Sequence, residues 1–309
     1  MRNILGALFI LLALIACQTT PTKVTSEQGV QGAPEKLMDG APVILDVRPP
    51  FEFNLSHVPG AINIRWEDFS SQDPNSRGVL QDDLFSVARR LSLIGIDPDS
   101  KVVILGKGAQ GNGEEGRIAW TLEVLGVKNV HTALHTVARA MNPKGDEPLV
   151  KNKPYWKPVI DESLFIDSKN FKAYATQKLP PLKMTGKKKS KTAMDLPVSS
   201  LFGMNFNEAK AKVVILDVRS NGEFGINNLT KYKHVKTPVV QIEWKEFFTE
   251  SNAVSKDLGK KLESKGITPD KIIMVISNHG VRSGAVTFAL REMGYRQSVN
   301  FAGGYEQWK

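Results

Sequence analysis

The chain has very little cysteine: one residue, Cys17, among 309. A single thiol excludes a disulfide framework within the chain and a metal site built from several cysteines. Aromatic residues make up only 8% of the sequence and charged residues 24%, while 41% are hydrophobic. This balance is typical of a soluble globular protein and excludes wholesale disorder, a collagen-like repeat and a polytopic membrane protein. The length predicts one large domain or two modest ones.

Long apolar runs are also absent, except for one at the amino terminus. Arg2 is followed by an uncharged, mostly apolar run from Ile4 to Ala16, which is shorter than the roughly 20 residues that span a bilayer. Residues 1–17 therefore predict a secretory signal peptide. Leu14-Ile15-Ala16-Cys17 resembles the bacterial lipobox, and the resemblance implies cleavage before Cys17 and attachment of a lipid to its sulfur. An ordinary signal peptide with an incidental cysteine is the alternative.

A lipid on Cys17 would decide where the protein is located. Residues 18–35 are polar and contain proline, which favours a flexible tether. The mature protein would be a membrane-anchored lipoprotein outside the cytoplasm, in the outer membrane or on the periplasmic face of a cell with two membranes. Lipidation of Cys17 would also leave no thiol in the mature chain.

Acidic residues are fewer than basic ones: 32 Asp and Glu against 41 Lys and Arg give the chain a formal net charge of +9. The excess is concentrated in residues 151–195, which contain eleven lysines and four acidic residues. A basic stripe on a folded surface would indicate nucleic acid; we expect none, because this segment has the composition of a linker. The basic connector, residues 146–196, either contacts anionic lipid or cell-wall polymer through Lys187–Lys191 or is a solvated linker.

Two segments of the chain repeat each other. VILDVRPPFEF in the first half pairs with VVILDVRSNGEF in the second, which aligns Asp46 with Asp217 at an offset of 171. The glycines of LIGIDPD and SKGITPD keep the same offset further along the chain. A constant offset over that distance predicts duplicated domains, which we place at residues 36–145 and 197–309.

Each repeat alternates short β-branched runs with segments of helical periodicity. Such alternation predicts a parallel sheet covered by helices on both faces, and hence two tandem α/β domains. The predicted strands are Val43–Leu45, Lys101–Leu105, Val213–Leu216 and Lys271–Ile276. The predicted helices are Leu84–Leu93, Gly116–Leu125, Val254–Glu263 and Ser283–Met293.

Several short motifs stand out in these repeats: the acidic-aromatic pairs Glu52-Phe53 and Glu223-Phe224, the segment His57–Ile64, the loop Gly280–Ser283 and the closing segment Phe301–Trp308. Together these motifs resemble those of the rhodanese family. The resemblance covers residues 38–140 and 198–309; the second repeat departs from the family's Pro-Gly-Ala turn, and the first lacks the closing Gly-Gly. It implies two tandem rhodanese-like domains, each a small parallel sheet with helices on both faces.

The rhodanese resemblance implies sulfur transfer through a cysteine that ends a strand and becomes a persulfide. Counting seven residues beyond Asp99 and Asp270 reaches Gly106 and Ser277, so neither repeat has a thiol at that position. A serine hydroxyl does not hold a transferable sulfane sulfur, and a loop that favours anions does not ionise an alcohol at neutral pH without a base. We therefore expect no catalytic residue and an inactive member of the family.

The second repeat keeps the parts of an anion-binding loop. Gly280 permits a turn, Arg282 brings a guanidinium and Ser283 is placed to cap the following helix. The predicted loop consists of Ser277, Asn278, His279, Gly280, Val281, Arg282 and Ser283. It would bind a small anion or a group of a protein partner; the alternative is a turn that the fold retains without a ligand.

The corresponding loop of the first repeat has diverged further. It is longer and places Glu114 and Glu115 at the entrance of the following helix, where they disfavour an anion. Gly106, Gly108 and Gly111 also match the GxGxxG fingerprint of dinucleotide sites, but the helix is expected only near Glu114, after all three glycines. We expect no cofactor.

Two other chemical hypotheses involve histidine. His279 could act as a base for Ser277, oriented by Asp217, which would give residual or altered chemistry on an anionic substrate at this loop. Residues two apart in a tight loop point in different directions, which counts against this enzyme hypothesis. His131 and His135 have the spacing of two metal ligands on a helix, but no third ligand is evident, so we expect no metal site.

Overall fold

A computed structural model of the chain describes residues 37, 39–141, 152–179, 200–255 and 257–309. The signal segment, Cys17, the tether and the Lys187–Lys191 run lie outside the described residues. None of the described helices combines the length and the apolar content that crossing a membrane requires.

Two four-stranded parallel sheets, one from each repeat, form the centre of the described structure. The strands are β1 Val43–Asp46, β2 Ile62–Asn63, β3 Lys101–Gly106, β4 Asn129–Leu134, β5 Ser200–Leu201, β6 Met204–Asn205, β7 Val213–Asp217, β8 Val239–Gln241, β9 Ile272–Ile276 and β10 Ser298–Phe301. The first sheet has the order β2-β1-β3-β4 and the second the order β10-β9-β7-β8, while β5 and β6 form a separate antiparallel ribbon. The two tandem α/β domains predicted from the sequence are confirmed.

Helices and short 3-10 turns connect these strands. The helices are α1 Pro50–Leu55, α2 Leu84–Leu93, α3 Glu114–Val124, α4 His135–Met141, α5 Ser168–Thr176, α6 Phe206–Lys212, α7 Asn221–Ile226, α8 Leu258–Ser264, α9 Val281–Glu292 and α10 Gly304–Trp308. The 3-10 turns are Trp66–Phe69, Gly108–Gln110, Glu162–Leu164, Leu229–Lys231 and Trp244–Phe247. Each 3-10 turn that carries a tryptophan follows the edge strand of its sheet.

The central strands are buried on both faces, which is why their sequences are continuous apolar runs. In β7, Val214 and Leu216 pack on one face of the sheet with Phe247. Ile215 packs on the other face with Phe171 of α5. The hydrophobic core of the second domain therefore lies on both sides of its sheet.

Three helices begin at positions that differ from the predicted ones. α8 begins at Leu258 and not at Val254, because Val254 pairs with Phe248 in an antiparallel bridge. α3 and α9 begin two residues earlier than predicted, directly after Gly113 and Gly280, whose φ angles are +83° and +76°. These glycines end the preceding loops in a backbone conformation that other residues rarely adopt.

The part of the connector that the structure describes packs on both domains. The indole N–H of Trp156 donates to the carbonyl of Ile96 in the first domain at 2.9 Å. Leu164 joins the core of the first domain, whereas Phe171 stacks on Phe301 of the second with ring centroids 4.1 Å apart. Residues 152–179 therefore link the two domains structurally.

Helices α3 and α9 pack against each other where the two domains meet. Their backbones approach closely, since a Cβ atom at Gly116 would overlap Ala285. Beside this contact, the fully buried guanidinium of Arg117 donates to the carbonyl of Gly280 at 3.1 Å and to that of Gly78 at 2.7 Å. Arg117 thus connects loops of both domains.

Candidate functional site

The loop predicted to bind an anion lies at the carboxyl edge of the second sheet, between β9 and α9. The chain just after β10 closes over it, and the N–H of Tyr305 donates to the carbonyl of Ser277 at 2.9 Å. A Cβ atom at Gly280 would overlap the carbonyl group of Ala302. This turn therefore requires glycine for space as well as for its positive φ.

Ser277 occupies the position at which the rhodanese resemblance implies a nucleophile. It is 1% exposed, its Oγ lies 3.0 Å from the Oγ of Ser283, and it accepts the Ser283 N–H at 3.3 Å. The hydroxyl is therefore held within the loop at the entrance of α9. Among the described residues no base contacts it, so this arrangement does not activate the hydroxyl as a nucleophile.

The structure does not assemble Ser277, His279 and Asp217 into a triad. The Nδ1 atom of His279 lies 2.9 Å from Oε1 of Glu306. Asp217 is fully buried and accepts from Nη2 of Arg219 at 2.7 Å. The histidine and the aspartate thus have other partners, and the hypothesis of a serine hydrolase lacks both its base and its orienting carboxylate.

The guanidinium of Arg282 has an anionic partner inside the protein. Its terminal nitrogens donate to the two carboxylate oxygens of Glu223 at 2.7 and 2.8 Å, and the side-chain amide of Asn278 donates to the same carboxylate at 2.6 Å. The N–H and hydroxyl of Ser220 add hydrogen bonds of 2.9 and 2.8 Å. Arg282 first, and Ser220 second, hold the pKa of Glu223 well below its ordinary value despite partial burial. A carboxylate of the chain thus takes the place of a bound anion at Arg282.

The backbone of the same loop still offers donors. The N–H groups of residues 278–282 donate to no acceptor within the part of the chain that the structure describes. They lead into α9, whose amino terminus carries the positive end of the helix dipole. Successive amides of this kind bind phosphate, sulfate and carboxylate groups. The loop therefore combines a guanidinium that is paired with Glu223 and backbone N–H groups that are available to bind a ligand.

In the first domain, a carboxyl group lies beside Gly106, the position at which the rhodanese resemblance implies a nucleophile. A Cβ atom at Gly106 would overlap the carboxyl group of Glu115. Glu115 is 3% exposed, and burial raises its pKa from 4.5 to about 7, although hydrogen bonds from backbone amides and from Asn252 offset part of the increase. The loop of the first domain is thus filled by a side chain from the first turn of α3.

Little open space remains around this loop. The cleft beside it has a volume of about 110 Å³ and is lined by Arg48 and Lys107, among others. The N–H and side-chain amide of Asn112 donate to Glu114 at 2.8 and 2.9 Å, and Nζ of Lys107 lies 2.9 Å from Glu52. Lys107 and Glu114 of this cleft therefore already have partners within the chain.

The remaining candidate residues are not brought together into a site. Gly106, Gly108 and Gly111 all precede α3 and do not form its first turn, as the glycines of a dinucleotide site would. His131 lies in strand β4, whereas His135 begins α4, so the two histidines do not share a helical face. Among the described residues, no group of three or more His, Cys, Asp or Glu side chains is placed to hold a metal ion.

Sequence analysis missed two residues that the fold brings to these loops. A Cβ atom at Gly78 would overlap the carbonyl groups of His279 and Ala302, and one at Gly108 would lie 3.1 Å from Oδ1 of Asn252. Each domain therefore covers the loop of the other. Their position in the repeats could have indicated this role, since Gly78 and Asn252 both follow the tryptophan-containing turn of their own domain.

The fold and the paired loops define a protein of two tandem α/β domains, with corresponding sites at the carboxyl edges of two parallel sheets. The family model described as "Rhodanese-like domain" matches residues 31–133 and 205–309. The chain therefore belongs to the rhodanese-like family and contains one copy of the domain in each repeat.

Comparisons with individual proteins agree with this assignment. The chain is 23% identical over 276 residues to thiosulfate sulfurtransferase of Pseudomonas aeruginosa, covering 87% of this chain and 89% of that protein. It is also 23% identical to thiosulfate sulfurtransferase of Azotobacter vinelandii, covering 86% and 87%. Among solved structures, SseA from Escherichia coli, a 3-mercaptopyruvate sulfotransferase, has a TM-score of 0.62 and 17% identity over 88% of this chain and 95% of that chain. This last similarity is one of fold.

Proposed function

We propose that the chain is a rhodanese-family protein that does not transfer sulfur through a thiol of its own. It acts as a binding module that a lipid on Cys17 anchors to a membrane outside the cytoplasm. The observation that carries the proposal is at the two nucleophile positions: Ser277 is hydrogen bonded within its loop, and Gly106 lies against the carboxyl group of Glu115. Neither position offers a group that stores sulfane sulfur.

The ligand that fits the second loop is a small oxyanion or a carboxylate of a protein partner. The amides of residues 278–282 supply hydrogen-bond donors and Arg282 supplies positive charge. Two relatives are thiosulfate sulfurtransferases, and thiosulfate is an oxyanion of this kind. Glu223 competes for Arg282, so we expect the affinity for a free anion to be low.

Thiosulfate:cyanide sulfur transfer by the purified mature protein tests the absence of sulfurtransferase activity. We expect no turnover above the uncatalysed rate. Ser277→Cys is the matched variant, because the loop amides would stabilise a thiolate at this position, lower the pKa of the thiol and permit weak transfer. Turnover by the wild-type protein comparable with that of a cysteine-bearing rhodanese would refute the proposal. An unreactive thiol in the variant would refute the anion-binding property of the loop.

Titration with sulfate and thiosulfate, followed by NMR, tests the anion site. We expect the amide resonances of residues 278–282 to shift. The shifts should be lost in Arg282→Gln and should saturate at lower concentration in Glu223→Gln, which removes the competing negative charge. Glu52→Gln is the matched control, because Glu52 holds the equivalent position beside Lys107 in the first domain. Unperturbed resonances in the wild-type and Glu223→Gln proteins would contradict the site.

Metabolic labelling with palmitate tests the membrane anchor separately from the loop. Wild-type protein should incorporate the label and sediment with membranes, whereas Cys17→Ser should do neither. An unlabelled, soluble wild-type protein cleaved at another position would favour the ordinary signal peptide instead.

A further inference from the structure

Four lysines that lie in or beside four different elements line a groove in the second domain. Lys210 lies in α6, Lys265 follows α8, and Lys236 and Lys271 precede β8 and β9. The groove has a volume of about 480 Å³. Residues that are separated along the chain thus bring four lysine side chains to one concavity, called the four-lysine groove below.

The four-lysine groove lies at the end of the sheet opposite to the candidate loop. Val213 and Val214, the first two residues of β7, line it and are buried. The loop 277–283 instead follows the last residue of β9. Because a strand rises about 3.3 Å per residue, the length of these strands separates the two places by about 16 Å. The groove is therefore distinct from the site described above.

The charge of the four-lysine groove is not neutralised by neighbouring side chains. None of its lining residues is acidic, and within the described part of the chain no carboxylate lies within 4 Å of the four ammonium groups. Asp270 precedes Lys271 but accepts a hydrogen bond from Thr268. That bond first, and the charges of Lys271 and Lys212 to a smaller extent, keep the pKa of Asp270 below its ordinary value. The groove thus carries a net positive charge.

Helix ends account for only two of the four lysines. Lys210 and Lys265 are close to the carboxyl ends of α6 and α8, where positive charge is favourable. Lys236 and Lys271 precede strands, so no helix dipole explains them. Like charges around a concavity repel one another, and a bound anion would remove this repulsion.

We propose that the four-lysine groove binds a compact anion that carries two or more phosphate groups, either free in solution or as the headgroup of a lipid. Four ammonium groups match a multivalent phosphate better than a single carboxylate, because each lysine acts as a point charge toward a phosphate oxygen. The concave shape favours a compact ligand over an extended strand of nucleic acid.

Two probes distinguish the sources of phosphate for the mature protein. Calorimetric titration with tripolyphosphate measures binding of a free ligand, and sedimentation with phosphatidylcholine vesicles, with or without cardiolipin, measures binding of a lipid headgroup. Lys236→Gln/Lys271→Gln should weaken binding about tenfold or more. The matched control Lys245→Gln/Lys260→Gln removes two exposed charges of the same domain outside the groove and should change binding less than about twofold.

Each outcome supports or contradicts phosphate binding by the four-lysine groove. Selective loss of tripolyphosphate binding in the groove variant supports a soluble ligand, and selective loss of cardiolipin binding supports a lipid headgroup. Lys210→Gln/Lys265→Gln repeats the test if circular dichroism shows that the first variant is unfolded. Equal weakening in the control variant, or no binding of either probe to the wild-type protein, would overturn the proposal. Because the variants leave the loop 277–283 intact, the result is independent of the proposed function.

Discussion

The carboxyl group of Glu115 lies against the α-carbon of Gly106, in the space that any side chain at that position would need. In the second domain Ser277 directly follows the equivalent strand, and its hydroxyl is hydrogen bonded to that of Ser283. Both domains therefore close the position at which the rhodanese resemblance implies a nucleophile with a polar group from the first turn of the next helix. The first domain uses the carboxyl group of Glu115 and the second the neutral hydroxyl of Ser283, so substitutions at the two positions should have different effects.

Glu115→Gln should reduce the pH dependence of stability. Burial raises the pKa of Glu115 from 4.5 to about 7, so between these values the folded chain binds more protons than the unfolded chain and the free energy of unfolding falls as pH rises. Above pH 7 the ionised carboxylate costs about 3 kcal/mol. Urea denaturation should therefore show the variant to be more stable than the wild-type protein at pH 8 and similar to it at pH 4.5.

Glu114→Gln is the matched control for this prediction. Glu114 lies at the same helix entrance, where Asn112 donates to it, but its side chain is less buried than that of Glu115. Burial also raises the pKa of Glu123 to about 7, so Glu123 should account for pH dependence that remains in the Glu115→Gln variant. An identical pH profile for Glu115→Gln and the wild-type protein would contradict the assignment.

Gly106→Cys should not create a reactive thiol in the first domain. The new side chain would overlap Glu115, so we expect a loss of roughly 2 kcal/mol in the free energy of unfolding. Ser277→Cys replaces a side chain of similar size and should cost less than about 1.5 kcal/mol. Thermal unfolding and thiol titration measure the two effects, and a stable, reactive Gly106→Cys protein would show that Glu115 does not close the position.

Gly78→Ala should weaken the contact between the two domains. Its Cβ atom would overlap the backbone carbonyls of His279 and Ala302, which cannot move aside like the end of a side chain, so we expect a loss of roughly 2–3 kcal/mol. Gly259→Ala is the control, because a Cβ atom there meets nothing within 4 Å and alanine favours a helix by up to about 1 kcal/mol. Chemical denaturation should separate the two variants, and equal stabilities would contradict the contact.

Arg117→Lys should destabilise the protein although it keeps the positive charge. The guanidinium donates to Gly280 and Gly78 and to the Ser70 hydroxyl, and a smaller ammonium does not reach all three acceptors. We expect a loss of roughly 2 kcal/mol. The same change at Arg65, which is exposed, should cost less than about 0.5 kcal/mol. Urea denaturation compares the two, and similar values would contradict the role of Arg117.

The chain's own sequence determined the duplication, the α/β class and the absence of cysteine at positions 106 and 277. Buried β-branched runs and helical periodicity are local properties, and the offset between Asp46 and Asp217 needs no knowledge of contacts. Residue identity alone establishes that Gly106 and Ser277 are not cysteine. These features depend on composition and spacing, which is why they were accessible before the fold was known.

Only the tertiary structure decided which side chains meet in the loops and around the groove. Glu223 and Arg282 are 59 residues apart, and they meet because β7 and β9 are neighbours in one sheet. The start of α8 was predicted too early because Val254 pairs with Phe248 in a bridge, and the periodicity of the sequence does not reveal such a contact. The four lysines likewise converge because α6 and α8 end, and β8 and β9 begin, at the amino edge of one parallel sheet. Contacts between distant residues depend on the path of the folded chain, which spacing along the sequence does not specify.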